Sequence, residues 1–225
     1  MKNKIRSLVQ PDGKLERTLR RLYYRFPYRY RSSIAGKNNK IICKGNIRKS
    51  RIIITGNNNT VEIGAESFIS DNYIYIRGNS HTLKIGQQCR LQHAEFWFED
   101  HSGTIAIGDS TTIQSAHLAV TEPHSSIQLG QDCMLSTNIE IRTGDSHSII
   151  DLNTNQRINQ AQNVQIGNHV WIGAKAIVLK GTQVGENSII GTGSIVTGKV
   201  PQNVIAVGIP ARVVRENVTW DRERL

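Results

Sequence analysis

The chain has 225 residues, of which 38% are hydrophobic and 20% charged, and a formal net charge of +10 at neutral pH. Three cysteines without paired spacing argue against a secreted disulfide scaffold, and no apolar run approaches membrane-spanning length. The charge is concentrated: residues 1–40 carry 12 of the 28 Lys/Arg and only 2 of the 18 Asp/Glu, leaving the remainder balanced.

Residues 1–40 read as a basic N-terminal segment. Leu15, Leu19, Leu22, Tyr23 and Phe26 recur at helical spacing with arginines between them, and Pro27 ends the run, so a short helix is expected. Such a helix can cap the open end of the following domain with a solvated basic face. Alternatively, residues 1–35 contact an anionic lipid surface or an acidic polymer. No nucleic-acid motif accompanies the charge, and no nucleic-acid partner is expected. Without the long apolar run of a signal peptide, the expected location is cytoplasmic, peripheral at the inner face of the membrane if the segment binds lipid.

From residue 41 a period takes over. An aliphatic residue followed by glycine occurs at Ile63-Gly64, Ile85-Gly86, Ile107-Gly108 and Leu129-Gly130, at a constant interval of 22. It returns at Ile166-Gly167 and Val184-Gly185, where the period tightens to six through Ile166, Ile172, Val178, Val184, Ile190 and Val196. Three hexapeptides make one triangular coil, and the longer coil is the same unit with an extended corner. The fold class is therefore all-β, a parallel β-helix solenoid in which each coil buries the face of the next. Its expected span is 41–202, with 203–225 as a C-terminal tail.

Stacking the coils aligns Val61, Leu83, Ile105, Ile127 and Val164, and likewise Ile69, Leu91, Ile113, Leu135, Ile172 and Ile190. A third column holds Ile52, Ile74, Phe96 and Leu118. Cys89 and Cys133 fall in a small-residue column with Ser67, Thr111 and Ser188, two coils apart, too far for a disulfide. They read as small buried thiols.

The extra corner residues are Thr55 to Asn59, Arg77 to His81, Glu99 to Gly103, Thr121 to Ser125 and Thr143 to His147. The last corner runs on as a long polar loop, 144–163, before Val164 resumes the ladder. A loop of this length in a repeat protein marks a functional or disordered segment, and it begins at a histidine suited to proton transfer. His81, His101 and His124 occupy different slots of the same corner, so they read as solvated turn residues rather than metal ligands. His169 reads the same way, and no metal site is expected.

Residues 163–215, with N-H-V-W-I-G-A and G-I-P-A-R-V-V-R, resemble the hexapeptide-repeat acyltransferases, in the galactoside, maltose and capsular-polysaccharide O-acetyltransferase branch. The resemblance implies a left-handed parallel β-helix, a homotrimer, and acetyl-CoA bound in a cleft between subunits, with no other cofactor. It implies that His147, in G-D-S-H-S-I, is the general base that deprotonates an acceptor hydroxyl during attack on the thioester, and that a backbone N–H holds the oxyanion. Trp171, further along in N-H-V-W-I-G, matches a position beside the acyl donor. Gly173, Gly191, Lys199 and Arg212 are the implied donor-binding residues, with Lys175, Lys180 and Arg215 as nearby competitors for the phosphates. Upstream of His147 the galactoside and maltose enzymes carry an asparagine that contacts the acceptor, where this chain has His117. An imidazole cannot reproduce the paired donor and acceptor of an amide, so a different acceptor is expected, with His117 either hydrogen-bonding a substrate hydroxyl as an acceptor-binding residue or lining a turn.

The expected activity is acetyl-CoA-dependent O-acetylation of a surface or capsular polysaccharide or its sugar precursor. Three other readings remain open. N-acylation of an amino-sugar nucleotide is generally accompanied by a nucleotide-binding α/β head, a γ-type carbonic anhydrase needs a three-histidine zinc site, and a non-catalytic or ice-binding solenoid would show flat threonine ladders and no long loop.

Overall fold

The computed structural model describes residues 30–224, and the helix expected at Leu15–Phe26 lies outside them. The described chain winds as a left-handed parallel β-helix, each coil laying one strand on each of three sheets. The first sheet has eight strands, from Arg31–Ala35 to Ile195–Val196, and the second has eight, from Lys40–Cys43 to Lys199–Val200. The third has nine, eight parallel strands from Asn46–Arg48 to Val204–Gly208 and a ninth, Ala211–Glu216, folding back antiparallel at its end.

The ladder is longer at both ends than the period suggests. Arg31 pairs with Arg51, and Ile189 pairs with Ile205. Both steps are shorter than those of the coils beside them, so counting at a fixed interval does not reach them. Residues 31–40, assigned to the basic segment, and 204–208, assigned to the tail, belong to the solenoid.

All three apolar columns stack as the sequence spacing requires, with Ile74 opposite Phe96, Leu83 opposite Ile105 and Ile113 opposite Leu135. Phe96 and Phe98 are the bulkiest fully buried side chains among the described residues. At the corners backbone hydrogen bonds between coils continue, and stacked polar side chains satisfy the amides that they miss. The Asn59 N–H donates to Asn39 Oδ1 at 3.0 Å, the His81 N–H to Asn59 Oδ1 at 2.9 Å, and the Gly103 N–H to His81 Nδ1 at 3.1 Å. A second corner does the same with hydroxyls: Ser67 Oγ accepts from the Cys89 N–H at 3.0 Å, and Thr111 Oγ1 from the Cys133 N–H at 3.1 Å. Cys89 and Cys133 are buried and unbridged, and burial pushes the Cys133 thiol up to about 11.

His81 is thus not a solvated turn residue. It is fully buried against Phe98, with ring centroids 5.4 Å apart, because its slot is the one filled by Asn59 a coil earlier. His101 and His124 are exposed, their rings edge to face at 5.1 Å.

The corner register of the fifth and sixth coils also departs from the regular interval. Ala116 pairs with Ile139, one residue beyond the count, the corner before it again holding a residue, Asn138, at positive φ. A slip of one residue exchanges the two faces of a strand. Without the insertion Glu140 would stand in the buried Leu118 column; with it, Ile141 does, and Glu140 faces out beside His117.

Burial holds the His81 imidazole below the ordinary histidine range, outweighing the nearby backbone carbonyls that favour its charged form. A group with a depressed folded value takes up more protons when unfolded, so stability falls as pH drops below the unfolded value of about 6.5. His81→Asn, repeating Asn59, should fold and should flatten this acid-side loss in melting temperature between pH 7 and pH 5. An unchanged acid-side slope would remove His81 as its cause.

Candidate active site

The corner that follows Ile139–Arg142 is where the chain leaves the ladder, and the excursion 144–163 is held by its own polar base. The buried Asn159 is the hub. Its Nδ2 donates to Asp145 Oδ2 at 2.9 Å and to the His147 carbonyl at 2.7 Å, while its Oδ1 accepts from the Ile149 N–H at 2.7 Å and Arg157 Nε at 3.1 Å. Lys180 Nζ pairs with Asp145 and donates to the Asn159 carbonyl at 2.9 Å. Arg157 bridges both oxygens of Glu122 at 2.5 and 3.0 Å, tying the loop to the coil before it. Further out, Asp151 closes a turn by accepting the Asn153 and Thr154 N–H groups, and Leu152 at the tip is 96% exposed.

His147 therefore stands exposed at the root of a pinned loop, its backbone fixed through its carbonyl. Lys180, a sequence candidate for phosphate contact, is committed to this base instead. Next to it, the outer face of the first sheet contains a hollow of about 360 Å³ lined by Trp97, Glu99, His117, Ala119, Arg142 and Ser146, among others. His117 and Ser146 thus share one hollow, and Ser146 is the neighbour of His147.

Within the hollow His117 is engaged. Its Nδ1 lies 3.0 Å from Glu140 Oε1, which also accepts from Arg142 Nη2 at 2.5 Å and Nε at 3.1 Å. The Glu140 hydrogen bond raises the His117 imidazole above its ordinary value, outweighing partial burial, with the charges of Glu140 and Glu95 adding and Arg142 opposing. Burial works to raise the Glu140 carboxyl, but the bonds and charges of His117 and Arg142 hold it below the usual range. Sequence reasoning missed Glu140 because the partnership depends on the one-residue lengthening of the coil before it.

The donor-side candidates lie elsewhere. Trp171 is 38% exposed on the third sheet, which also carries Arg212; Gly173 and Gly191 directly follow strands of that sheet. A Cβ on Gly173 would come within 2.6 Å of the Thr192 nitrogen, and one on Gly191 would collide with Val207, so coil packing accounts for both glycines. Lys199 belongs to the second sheet, in one column with Gln128, Gln165 and Gln183 along a groove of about 870 Å³. The structure brings Trp171, Gly173, Gly191 and Arg212 to one side of the prism and His117 and His147 to another.

Residues beyond the solenoid complete the Trp171 side. The indole of Trp220 stacks on His169 at 4.2 Å and lies 6.3 Å from Trp171. Its Nε1–H donates to the His169 carbonyl at 2.8 Å, while the His169 ring bonds Asp132 at 2.7 Å and the Trp220 carbonyl at 2.9 Å. Arg222 adds a bond of 2.8 Å to Asp132. His169 is thus a clamp for the C-terminal segment, not a solvated turn residue; partners so distant in the chain leave no periodic trace. Among the described residues no three His, Cys, Asp or Glu side chains converge as a metal site.

A left-handed β-helix with a pinned loop opening at a histidine defines the class of hexapeptide-repeat transferases. The family model for bacterial transferase hexapeptide repeats matches residues 163–198. The crystal structure of the polysialic acid O-acetyltransferase OatWY superimposes with a TM-score of 0.83 at 30% identity, covering 88% of this chain and 93% of that one. A polysialic acid O-acetyltransferase of Escherichia coli O1:K1 is 32% identical over 97 residues, 43% of this chain and 32% of that protein. The galactoside O-acetyltransferase of Escherichia coli K12 is 35% identical over 91 residues, 40% of this chain and 44% of that protein. The matches thus span less than half the length of these curated relatives. The chain belongs to the hexapeptide-repeat acyltransferase family.

The His117–Glu140 pair makes its own test. The imidazole should titrate, by NMR, above the ordinary value of about 6.5. Glu140→Gln should bring that midpoint down, since it removes the charge and the strong acceptor together. The stabilisation His117 draws from the pair is full below the unfolded value and fades as pH rises through the raised folded one.

Proposed function

We propose that the protein transfers an acetyl group from acetyl-CoA to a hydroxyl of a surface or capsular polysaccharide, or of its sugar precursor, with His147 as general base. The carrying observation is an exposed imidazole whose backbone is locked by Asn159 beside a polar hollow. The near full-length likeness to a polysialic acid O-acetyltransferase supports the reaction class.

His147 takes the acceptor proton as the hydroxyl oxygen bonds to the thioester carbonyl carbon. The tetrahedral intermediate then collapses with cleavage of the C–S bond, and the imidazolium returns the proton to the departing thiolate. The O-acetylated acceptor and free CoA leave, and the neutral histidine is restored. His117 orients the acceptor, while Trp171 and Arg212 on the third sheet serve the donor, Arg212 toward its phosphates; Gly173 and Gly191 are already required by coil packing, and Lys199 lies on another sheet.

Because acceptor-side and donor-side residues occupy different sides of one prism, the proposal includes a homotrimer. A closed ring of identical contacts sets the third sheet of one chain against the His147 corner of the next. The basic charge preceding the first coil supports a cytoplasmic location at the inner face of the membrane, with that segment on anionic lipid or polymer.

His147→Ala should lower acetyl-CoA turnover on glycan acceptors by about a hundred- to ten-thousandfold, the usual share of a general base, with donor affinity retained. Near-normal turnover would end the assignment.

A mixing experiment addresses the shared site. Sedimentation equilibrium should give three chain masses. Inactive His147→Ala and Trp171→Ala chains, refolded together, should regain part of the wild-type rate, because some sites then combine an intact histidine with an intact tryptophan. An active monomer, or no recovery in verified mixed trimers, would count against the shared site.

A further inference from the structure

The outer face of the first sheet carries an aromatic row that the proposed chemistry does not use. Tyr75 and Trp97 occupy one column of successive coils, stacked with centroids 4.2 Å apart and planes 28° from parallel, and Tyr73 lies beside them at 6.2 Å. The next residue in the column is Ala119, then Arg142. The small alanine leaves the far edge of the indole open and creates the hollow that reaches Ser146. The row thus leads, coil by coil, from an aromatic platform to the corner of His147.

We infer that this face is an extended subsite for an uncharged glycan chain, with the indole of Trp97, free on its Ala119 side and backed by Tyr75, stacking on a sugar ring remote from the acetylated one. The inference rests on the proposed acceptor class and narrows it. Apolar faces of pyranose rings pack on aromatic rings, and hydroxyls at the ring edges find partners in Glu95, Glu99 and His117.

Charge selects the kind of chain. The hollow contains two carboxylates, Glu95 and Glu99, against Arg142 and His117, both of which are already spent on Glu140. Arg51 and Arg77 stand earlier in the sheet, Arg51 over the Tyr73 ring at 6.0 Å. A carboxylated glycan would meet Glu95 and Glu99 where it needs cations, with like charges opposed. A neutral chain meets no such cost.

The test measures binding without acetyl-CoA, so that it stands apart from the reaction. Full-length protein is titrated with neutral oligosaccharides of two to eight sugars from gluco- and galacto-series, and with polysialic acid, by calorimetry and tryptophan fluorescence. The expected result is affinity for a neutral series that rises with length, weakened about tenfold, or about 1.4 kcal/mol, by Trp97→Ala and by Tyr75→Ala. Trp97→Tyr should retain most of it, and the melting temperature reports whether each variant is folded. Glu95→Gln with Glu99→Gln should admit polysialic acid. Three results would overturn the inference: polysialic acid bound by wild type in preference to every neutral chain, neutral binding indifferent to Trp97 and Tyr75, or loss of the oligomer in Trp97→Ala without effect on glycan binding. The last would make the face an interface between copies. If binding behaves as expected and His147→Ala still turns over, the subsite stands and the catalytic assignment falls.

Discussion

Everything in this molecule depends on one coil lying over the next in strict register. The parallel ladder supplies the backbone hydrogen bonds along each sheet and part of those at the corners, but some corner amides find no carbonyl there. Stacked Asn39, Asn59 and His81 and the alternating Ser67 and Thr111 satisfy them by accepting amide hydrogens from the following coil. A buried amide left unpaired costs about 1–3 kcal/mol, so each of these side chains is bound to its slot as firmly as a core isoleucine. The histidine at 81 follows from this constraint rather than from chemistry.

The same constraint decides where a functional insertion can go. A residue added within a strand would turn every side chain beyond it to the wrong face. Corners tolerate additions, and the chain uses two of them. The single extra residue between Leu135 and Ile139 brings Glu140 beside His117, and the excursion 144–163 carries His147 out of the ladder. The long insertion then needs rigidity of its own. Asn159, Lys180, Arg157 and Glu122 provide it from charged and hydrogen-bonded groups at the loop base, while the tip stays open to solvent.

The repeating part of the structure was legible in the sequence because periodicity is a local signal. Val61, Leu83 and Ile105 could be stacked by counting, and so could Ile113 over Leu91. Counting failed where the step changed, at the short first coil, at the lengthened coil before Ile139 and at the short last coil. It also could not see partnerships between distant positions. His169 with Trp220, Lys180 with Asp145 and His117 with Glu140 join residues that only the winding brings together. Histidines were the hardest to read: the same residue type serves as a buried corner acceptor at 81, a clamp at 169 and an exposed loop group at 147. Type and spacing do not distinguish these environments, whereas burial and partners do.

A three-sided solenoid offers separate outer faces, and this one has dressed them differently. The first sheet presents aromatic rings, carboxylates and the His117 pair; the third presents Trp171, walled by Trp220 through a clamp of His169, Asp132 and Arg222. Nothing within one prism moves these faces toward each other, because the ladder fixes their relative angle. In the proposed trimer, bringing an acceptor at the first face to a donor at the third is therefore a question of assembly rather than of hinge motion. On that proposal, contacts between neighbouring chains set the distance between base and thioester, and a substitution at such a contact weakens turnover while leaving every coil intact.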